Sequence, residues 1–406
     1  MTGLDNSMLA VVVLAAGEGK RMKSEIPKVM HTICGRPLVD YVLKAVSPLE
    51  AGSVTLVIGR GADMVRQAVG ERVRYAYQGE QKGTGHAVSV ALKGLPEQFK
   101  EVMVLPGDSP LVRTETLEEL IRKRRSSGCA ASLLTARVTE PSGYGRVVRE
   151  GGLVAGLVEE RDASPEVLGL NEINISTYCF SRPELEESLK GLVPDNSQGE
   201  YYLTDVIGDM VGKGLSVVSV EATEEESLGV NDREQLALVT ARLQRRINSE
   251  LIAGGVTMLD PGSTYVDAEV EVGRDTVIMP SVFLTGRCRI GRACRIGPFT
   301  SIKDSMVGDG SSVEYSWLEG CEVAEGVKIG PFSRIRPGCR LGPNTRVGSF
   351  VEMKNTVLGR GSKVPHLSYM GDAEIGEGVN VGAGSITCNY DGTEKHRTVI
   401  EDGAFI

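Results

Sequence analysis

The sequence predicts a two-part chain, an α/β domain built on a doubly wound, mostly parallel sheet and, after it, an all-β parallel β-helix. Two observations predict it. From Val11 to about Val230 short apolar runs alternate with longer helical stretches, and from Val266 onward an aliphatic residue returns every six positions. The length, 406 residues, leaves room for two or three domains, each with its own core.

The opening strand, Val11-Val12-Val13-Leu14, runs into Ala15-Ala16-Gly17-Glu18-Gly19-Lys20-Arg21-Met22, with Lys28 following Pro27. Glycines here admit a ligand close to the backbone, and the cations and a following helix start supply positive potential, which together suit phosphate. The spacing fits neither the Walker A loop nor the dinucleotide fingerprint, so the stretch alone also suits a solvated strand-turn-helix. Further strands are read at Ser53–Ile58, Val102–Leu105 and Ala131–Leu134. Strands covered on both faces by helices bind ligands at their carboxyl ends. Pro106-Gly107-Asp108 stands at such an end, as the opening loop does. Between Asn231 and Ala253, Leu236, Val239, Leu243, Ile247 and Leu251 recur at helical steps, which predicts an amphipathic connector.

The six-residue repeat runs through Val272, Ile278, Leu284, Ile290, Ile296 and Ile302, resumes after a slip at Val323, Ile329, Ile335, Leu341, Val347 and Met353, and returns at Ile375 and Val381. That period suits a short strand plus a tight turn, three of which close one triangular coil with the aliphatics on its axis. Stacked coils make a prism whose flat faces can pack against copies of itself, so a homotrimer is expected. The polar residues from Met353 to Ile375 are expected to mark a distortion of the coil.

Composition narrows the function. A net charge of −9 argues against nucleic acid or an anionic membrane surface as the main partner. Eight scattered cysteines without a CxxC pair read as reduced thiols of a cytoplasmic protein, and zinc is not expected. The apolar run from Met8 to Ala16 is preceded by Asp5 and is too short to span a bilayer, so no membrane insertion is expected. In the α/β part, Arg21 and Lys28 are suited to a triphosphate and Asp108 to a hard cation such as Mg2+, its second oxygen ligand coming from elsewhere.

Leu14-Ala15-Ala16-Gly17 with Lys28, Gln78 with Gly83-Thr84-Gly85-His86-Ala87, Gly107-Asp108, Gly143-Tyr144-Gly145-Arg146, Glu159, Tyr201-Tyr202-Leu203-Thr204-Asp205 and Gly229-Val230-Asn231 form one set. This set resembles the sugar-1-phosphate nucleotidylyltransferases, and over nearly the whole chain the bifunctional bacterial N-acetylglucosamine-1-phosphate uridyltransferase/glucosamine-1-phosphate acetyltransferases. The resemblance implies a nucleotide-diphospho-sugar transferase fold over 1–231, a linker helix over 232–253 and a left-handed β-helix over 254–406. It implies uridylyl transfer from UTP to N-acetylglucosamine-1-phosphate, with the product feeding cell-wall synthesis. Leu14, Ala15, Ala16, Gly17, Gln78, Gly83 and Thr84 would hold uracil and ribose, Arg21 and Lys28 would serve the phosphates beside Gly107, and Asp108 and Asn231 would bind Mg2+. Gly145, Glu159 and Asn174 would hold the sugar. Asn174 also suits a turn cap, Glu159 a solvated charged run, and His86 a structural helix start. Two positions depart from the family pattern: Pro106 stands where a tyrosine is usual, and Ile175-Ser176 where Thr-Gly is expected.

The prism carries a second polar cluster: Arg336, Glu352, Lys354, His366, Tyr369, Asn380, Asn389, Tyr390 and Lys395. An amine attacking a thioester must lose a proton, and His366 is the natural base, with Glu352 able to orient it. The resemblance makes Arg336, Glu352, Lys354, Tyr369, Asn380 and Lys395 the glucosamine-1-phosphate site. Acetyl-CoA would bind along the groove at Ala383, Asn389 and Tyr390, between subunits of a trimer. The family continues beyond the point matching Ile406, so weak or absent acetyl transfer is expected of this polypeptide alongside intact uridylyl transfer. Two other functions compete: a monofunctional nucleotidylyltransferase with a structural prism, disfavoured by the prism's polar cluster, and a non-catalytic regulatory relative, disfavoured by Lys28, Asp108 and Asn231.

Overall fold

The computed structural model describes residues 4–406 and divides them into two compact units, 4–33 with 37–239, and 34–36 with 240–406. The first unit is organised on a nine-stranded sheet. Its strands are β1 (Leu9–Ala15), β2 (Ser53–Ile58), β3 (Arg74–Tyr77), β4 (Glu101–Pro106), β5 (Ala131–Arg137), β6 (Arg146–Glu150), β7 (Leu153–Val158), β8 (Glu172–Ser181) and β9 (Val217–Glu221). The main order is β9-β5-β8-β4-β1-β2-β3, all parallel except β8, which runs antiparallel to both its neighbours. β6 and β7 form a hairpin that joins β8 at Ile173.

Helices cover both faces because the strands are apolar on both. Leu9, Val11, Val13 and Ala15 of β1 pack into a core with α1 (Leu38–Val46), α2 (Ala62–Val69) and α4 (Thr114–Ser127). Ala10 and Val12, on the opposite face, pack with α3 (Thr84–Lys93), α5 (Arg182–Lys190) and α6 (Thr204–Gly212). This is the doubly wound arrangement that uninterrupted apolar strands require.

The second unit is a parallel β-helix with three columns of short strands. One column stacks Val266, Leu284, Ile302, Leu318, Ile335, Met353 and Met370 in register. Another stacks Val272, Ile290, Val307, Val323, Leu341, Leu358, Ile375 and Ile400. All but Val272 and Ile400 of these are buried. The slip in the hexads corresponds to coils one or two residues short of three hexads, as from Ile302 to Leu318. The expected distortion between Met353 and Ile375 is not where the extra chain lies. Arg346–Lys354 and Lys363–Gly371 pair as two long strands, and the additional residues fall between Ile375 and Ile400. There Tyr390 and Lys395 bridge antiparallel and make a small hairpin off the coil.

The amphipathic helix forms as α7 (Arg233–Ala253), but its second half does more than connect. Ile247 and Leu251 pack on the core of the β-helix. Gln244 matches both backbone groups of Val266, accepting from its N–H at 3.1 Å and donating to its carbonyl at 3.2 Å, as a neighbouring strand would. Asn248, fully buried, donates to the carbonyls of Pro261 at 2.8 Å and Thr264 at 2.9 Å. The helix therefore closes the first coil, whose strand edges would otherwise be open. Replacing Asn248 with Ala leaves both carbonyls without their donor, and we expect a loss of about 2–3 kcal/mol from the unfolding transition of the β-helix, read by urea denaturation.

Candidate functional site

β1 and β4 pair in parallel with Leu14 opposite Pro106, so the loops leaving both strands emerge side by side. They open into a cleft of about 560 Å3. In the loop after β1, Gly19 has φ +63°, and a Cβ there would come within 2.9 Å of Lys28 Cβ. Gly17 differs, because a Cβ on it would meet nothing within 4 Å and would project into open space. Its bareness keeps room for a ligand.

Of the residues expected from the sequence, Leu14, Ala15, Ala16, Gly17, Arg21, Lys28, Gln78, Gly83, Thr84, Asp108, Gly145, Glu159, Asn174 and Asn231 all line this one cleft. Arg21 stands exposed at it. Gly107 is the exception: it is buried beneath, its N–H donating to the Leu14 carbonyl at 2.8 Å, and it ties the two strand ends together. Gln78 is buried, its Nε2 donating to the Gly83 carbonyl at 3.2 Å and meeting His86 Nδ1 at 3.0 Å. A carbonyl only accepts, so the amide nitrogen faces Gly83 and His86 accepts through Nδ1, with its proton on Nε2. His86 is thus a structural residue of α3 and also fixes the amide of Gln78.

Lys28 is ion-paired to Asp108 and lies 3.1 Å from Asn231 Oδ1. Two hard oxygen donors from remote segments converge on one cationic nitrogen, an arrangement that fits a divalent ion of the magnesium type. No group of three or more His, Cys, Asp or Glu among the described residues is placed to hold a metal, so the remaining ligands of such an ion would be substrate oxygens and water. The backbone reinforces the pair, since Val230 N–H donates to the Asp108 carbonyl at 3.0 Å.

Asn174 acts as the turn cap the sequence allowed, and it does so inside the cleft. Its Oδ1 accepts from Ser176 N–H at 3.1 Å and its Nδ2 donates to Tyr178 at 2.7 Å. The ladder between β8 and β5 shifts register here, and Ser176 takes φ +58°. A glycine would adopt that conformation without penalty, and the Asx turn from Asn174 holds the serine in it. Glu159 is half-buried rather than part of a solvated run, and Thr204 donates to its Oε1 at 3.1 Å.

On the β-helix, stacking brings the second cluster together. Arg336 and Glu352 pair at 3.0 Å across adjacent coils, and Glu352 is the register neighbour of Tyr369. Glu352 is thus committed to Arg336, and among the described residues no hydrogen bond joins it to His366, which is exposed beside Ser349. Lys354 lies 3.8 Å from Asp372, whose carboxylate also accepts from Asn355 and Asn389. These amides and Lys354 hold Asp372 below the usual carboxylate range, led by the Asn355 hydrogen bond. Lys395 borders Lys354, and that like charge pulls its ammonium below the usual lysine value. Tyr390 is exposed, its hydroxyl donating to Gly392; Ala383 is exposed; and Asn380 bridges Lys363 and Phe405.

Against known proteins, residues 11–169 match the MobA-like NTP transferase domain and residues 320–355 the bacterial transferase hexapeptide family. The chain is 47% identical over 397 residues to the bifunctional protein GlmU of Heliobacterium modesticaldum, covering 97% of this chain and 87% of that one. It is 49% identical over 400 residues to that of Pelotomaculum thermopropionicum, covering 98% and 88%. The chain belongs to the bifunctional GlmU family. The GlmU protein of Brevibacillus brevis adds 45% identity over 402 residues, so the likeness runs through both units.

Within this GlmU fold the motifs alone leave several residues without a role. Gln235 accepts from Asn231 N–H at 2.8 Å while Asp232 accepts from Gln235 N–H at 2.9 Å, so the cap of α7 aims Asn231. The Asp232-x-x-Gln235 spacing is a capping-box signal that could have found it. Tyr144 lines the cleft, and burial first, then the nearby Asp108, pushes its hydroxyl above the ordinary tyrosine range. Tyr178 has no local signal, because its importance comes from Asn174, which it holds.

Burial raises the Glu159 carboxyl above its usual value, and Asp205 and Asp162 push the same way against the Thr204 hydrogen bond. A raised folded-state pKa means a contribution that is complete below the unfolded value and is lost as pH rises through the folded one. Glu159→Gln, which keeps the acceptor for Thr204, should therefore raise the melting temperature at pH 7–8, with the gain shrinking to nothing below about pH 4. Thermal scans across that range read it.

Proposed function

We propose that this GlmU-family chain makes UDP-N-acetylglucosamine by uridylyl transfer from UTP to N-acetylglucosamine-1-phosphate. The observation that carries the reading is the meeting, in one cleft, of the loop after β1, Lys28, Asp108, Asn231, Gln78 and Glu159. Arg21 and Lys28 offer cations to the triphosphate, and Gly17 leaves the backbone open to it. Gln78, fixed by His86, and the Gly83-Thr84 start of α3 take the uracil and ribose. Gly145, Glu159 and Asn174 take the acetylated sugar, with the Glu159 carboxylate accepting from its hydroxyls or amide. A Mg2+ ion held by Asp108 and Asn231 would supply charge neutralisation at the triphosphate. The chain's own work is orientation: the sugar-phosphate oxygen is brought in line with the α-phosphorus, and pyrophosphate leaves on the opposite side.

The second unit supports an acetyl transfer from acetyl-CoA to glucosamine-1-phosphate. His366 would remove a proton from the sugar amine as its nitrogen attacks the thioester carbonyl, forming the C–N bond while the C–S bond breaks and coenzyme A leaves. Arg336, Lys354, Lys395, Tyr369 and Asn380 would hold the sugar phosphate, and Ala383, Asn389 and Tyr390 the coenzyme. A homotrimer belongs to the same proposal. It is supported by a ladder of exposed rings, Phe299, Tyr315, Phe332 and Phe350, whose neighbouring centroids lie 5.4–5.8 Å apart along one corner of the prism. We also propose the division of the chain into a transferase domain to residue 231, the helix, and the β-helix from 254, and a cytoplasmic location. No helix among the described residues is long and apolar enough to cross a membrane.

The test is pyrophosphate release. UTP with N-acetylglucosamine-1-phosphate should exceed UTP with glucose-1-phosphate and dTTP with either sugar; release from another pair and none from the first would overturn the proposal. Asp108→Ala should lower turnover at least ~100-fold while the mass in solution stays that of the parent.

A further inference from the structure

Lys28, Asp108 and Asn231 come from three segments far apart in the chain. Lys28 opens a short turn (Lys28–Met30) whose Cβ abuts Gly19, Asp108 follows β4, and Asn231 is held by the cap of α7 through Gln235. The Val230–Asp108 backbone hydrogen bond sets the two oxygen donors against each other before any cation is considered. The ammonium fits between them and is well shielded, with Lys28 and Asp108 side chains 16% and 15% exposed. An ammonium and a divalent ion cannot share that space, since their repulsion at contact distance in a partly desolvated site is large.

We propose that Lys28 is a tethered counter-ion that holds the divalent-metal position of the nucleotide-free enzyme and surrenders it when a triphosphate offers the ammonium a new anionic partner. The inference rests on Asp108 and Asn231 being the metal ligands. It makes the free enzyme a poor metal binder and brings the metal in together with the nucleotide, so that a metal ion does not fill the cleft ahead of its substrate. It also fixes a sign. A lysine that merely organised the carboxylate would, on removal, weaken metal binding, whereas a competing lysine, on removal, leaves an unpaired and half-buried carboxylate that binds a cation more tightly.

Mn2+ binding without nucleotide, followed by the paramagnetic resonance of the free ion, decides between them. Lys28→Met keeps the apolar stem against Gly19 and should bind Mn2+ at least tenfold more tightly than the parent, while Lys28→Arg, which keeps the charge, should stay as weak as the parent. The double variant Lys28→Met/Asp108→Asn should lose the tight site. Lys28→Met binding no more tightly than the parent would overturn the counter-ion role. Tight binding that survives in the double variant would instead overturn Asp108 as the ligand, and the metal reading with it. Thermal unfolding gives a second readout: added Mn2+ should raise the melting temperature of Lys28→Met by more than that of the parent, and equal shifts would count against the proposal.

Discussion

In-register parallel pairing of β1 with β4 is the constraint on which the chemistry of the first unit depends. Leu14 opposite Pro106 means that both strands end at the same level, so a loop rich in cations and a loop carrying Asp108 leave the sheet together. Neither loop could make the cleft alone. The Gly107 N–H to Leu14 carbonyl bond extends the ladder one step past the strands, and the aspartate that follows is carried to the ammonium of Lys28. A slip of one residue would turn the apolar residues of β1 to the wrong core and lift Asp108 from its partner at once. Packing and electrostatics in this unit are therefore set by the same few backbone bonds.

The β-helix reaches a comparable result by different means. Its coils do not bring remote loops together; they superpose residues that hold equivalent places in successive turns. Arg334 and Tyr369 on either side of Glu352 are consequences of stacking, as are the buried aliphatics, and Arg336, two residues along from Arg334, reaches Glu352 diagonally. A column departs from that rule in the hairpin between Ile375 and Ile400, which brings Asn389 to Asp372 and Lys395 beside Lys354.

Much of this was legible in the sequence because its signals are local. Apolar runs fixed Ser53–Ile58 as a strand, six-residue spacing revealed the prism, and glycine-rich turns at strand ends pointed to the cleft residues. What escaped depends on partners distant in the chain. Glu352 could be assigned to His366 by chemistry alone, yet in the fold it pairs with Arg336 of the preceding coil. A distortion of the coil was expected between Met353 and Ile375, where polar side chains interrupt the hexads, but polar side chains also fit outward positions of a regular strand. Gln244 and Asn248 looked like ordinary polar faces of a helix, since only the backbone of Pro261, Thr264 and Val266 gives them a role.

The closure of the first coil by α7 has a consequence for how such a chain can be taken apart. The compact units separate after Val239, within the helix and not at its end. The seam between the two modules is thus hidden inside a continuous element, and the half that carries Gln244, Ile247, Asn248 and Leu251 belongs to the prism it plugs. A hexapeptide module transplanted to another protein must travel with that half-helix, and a graft begun at its first coil would arrive uncorked, with an adhesive edge for any passing strand.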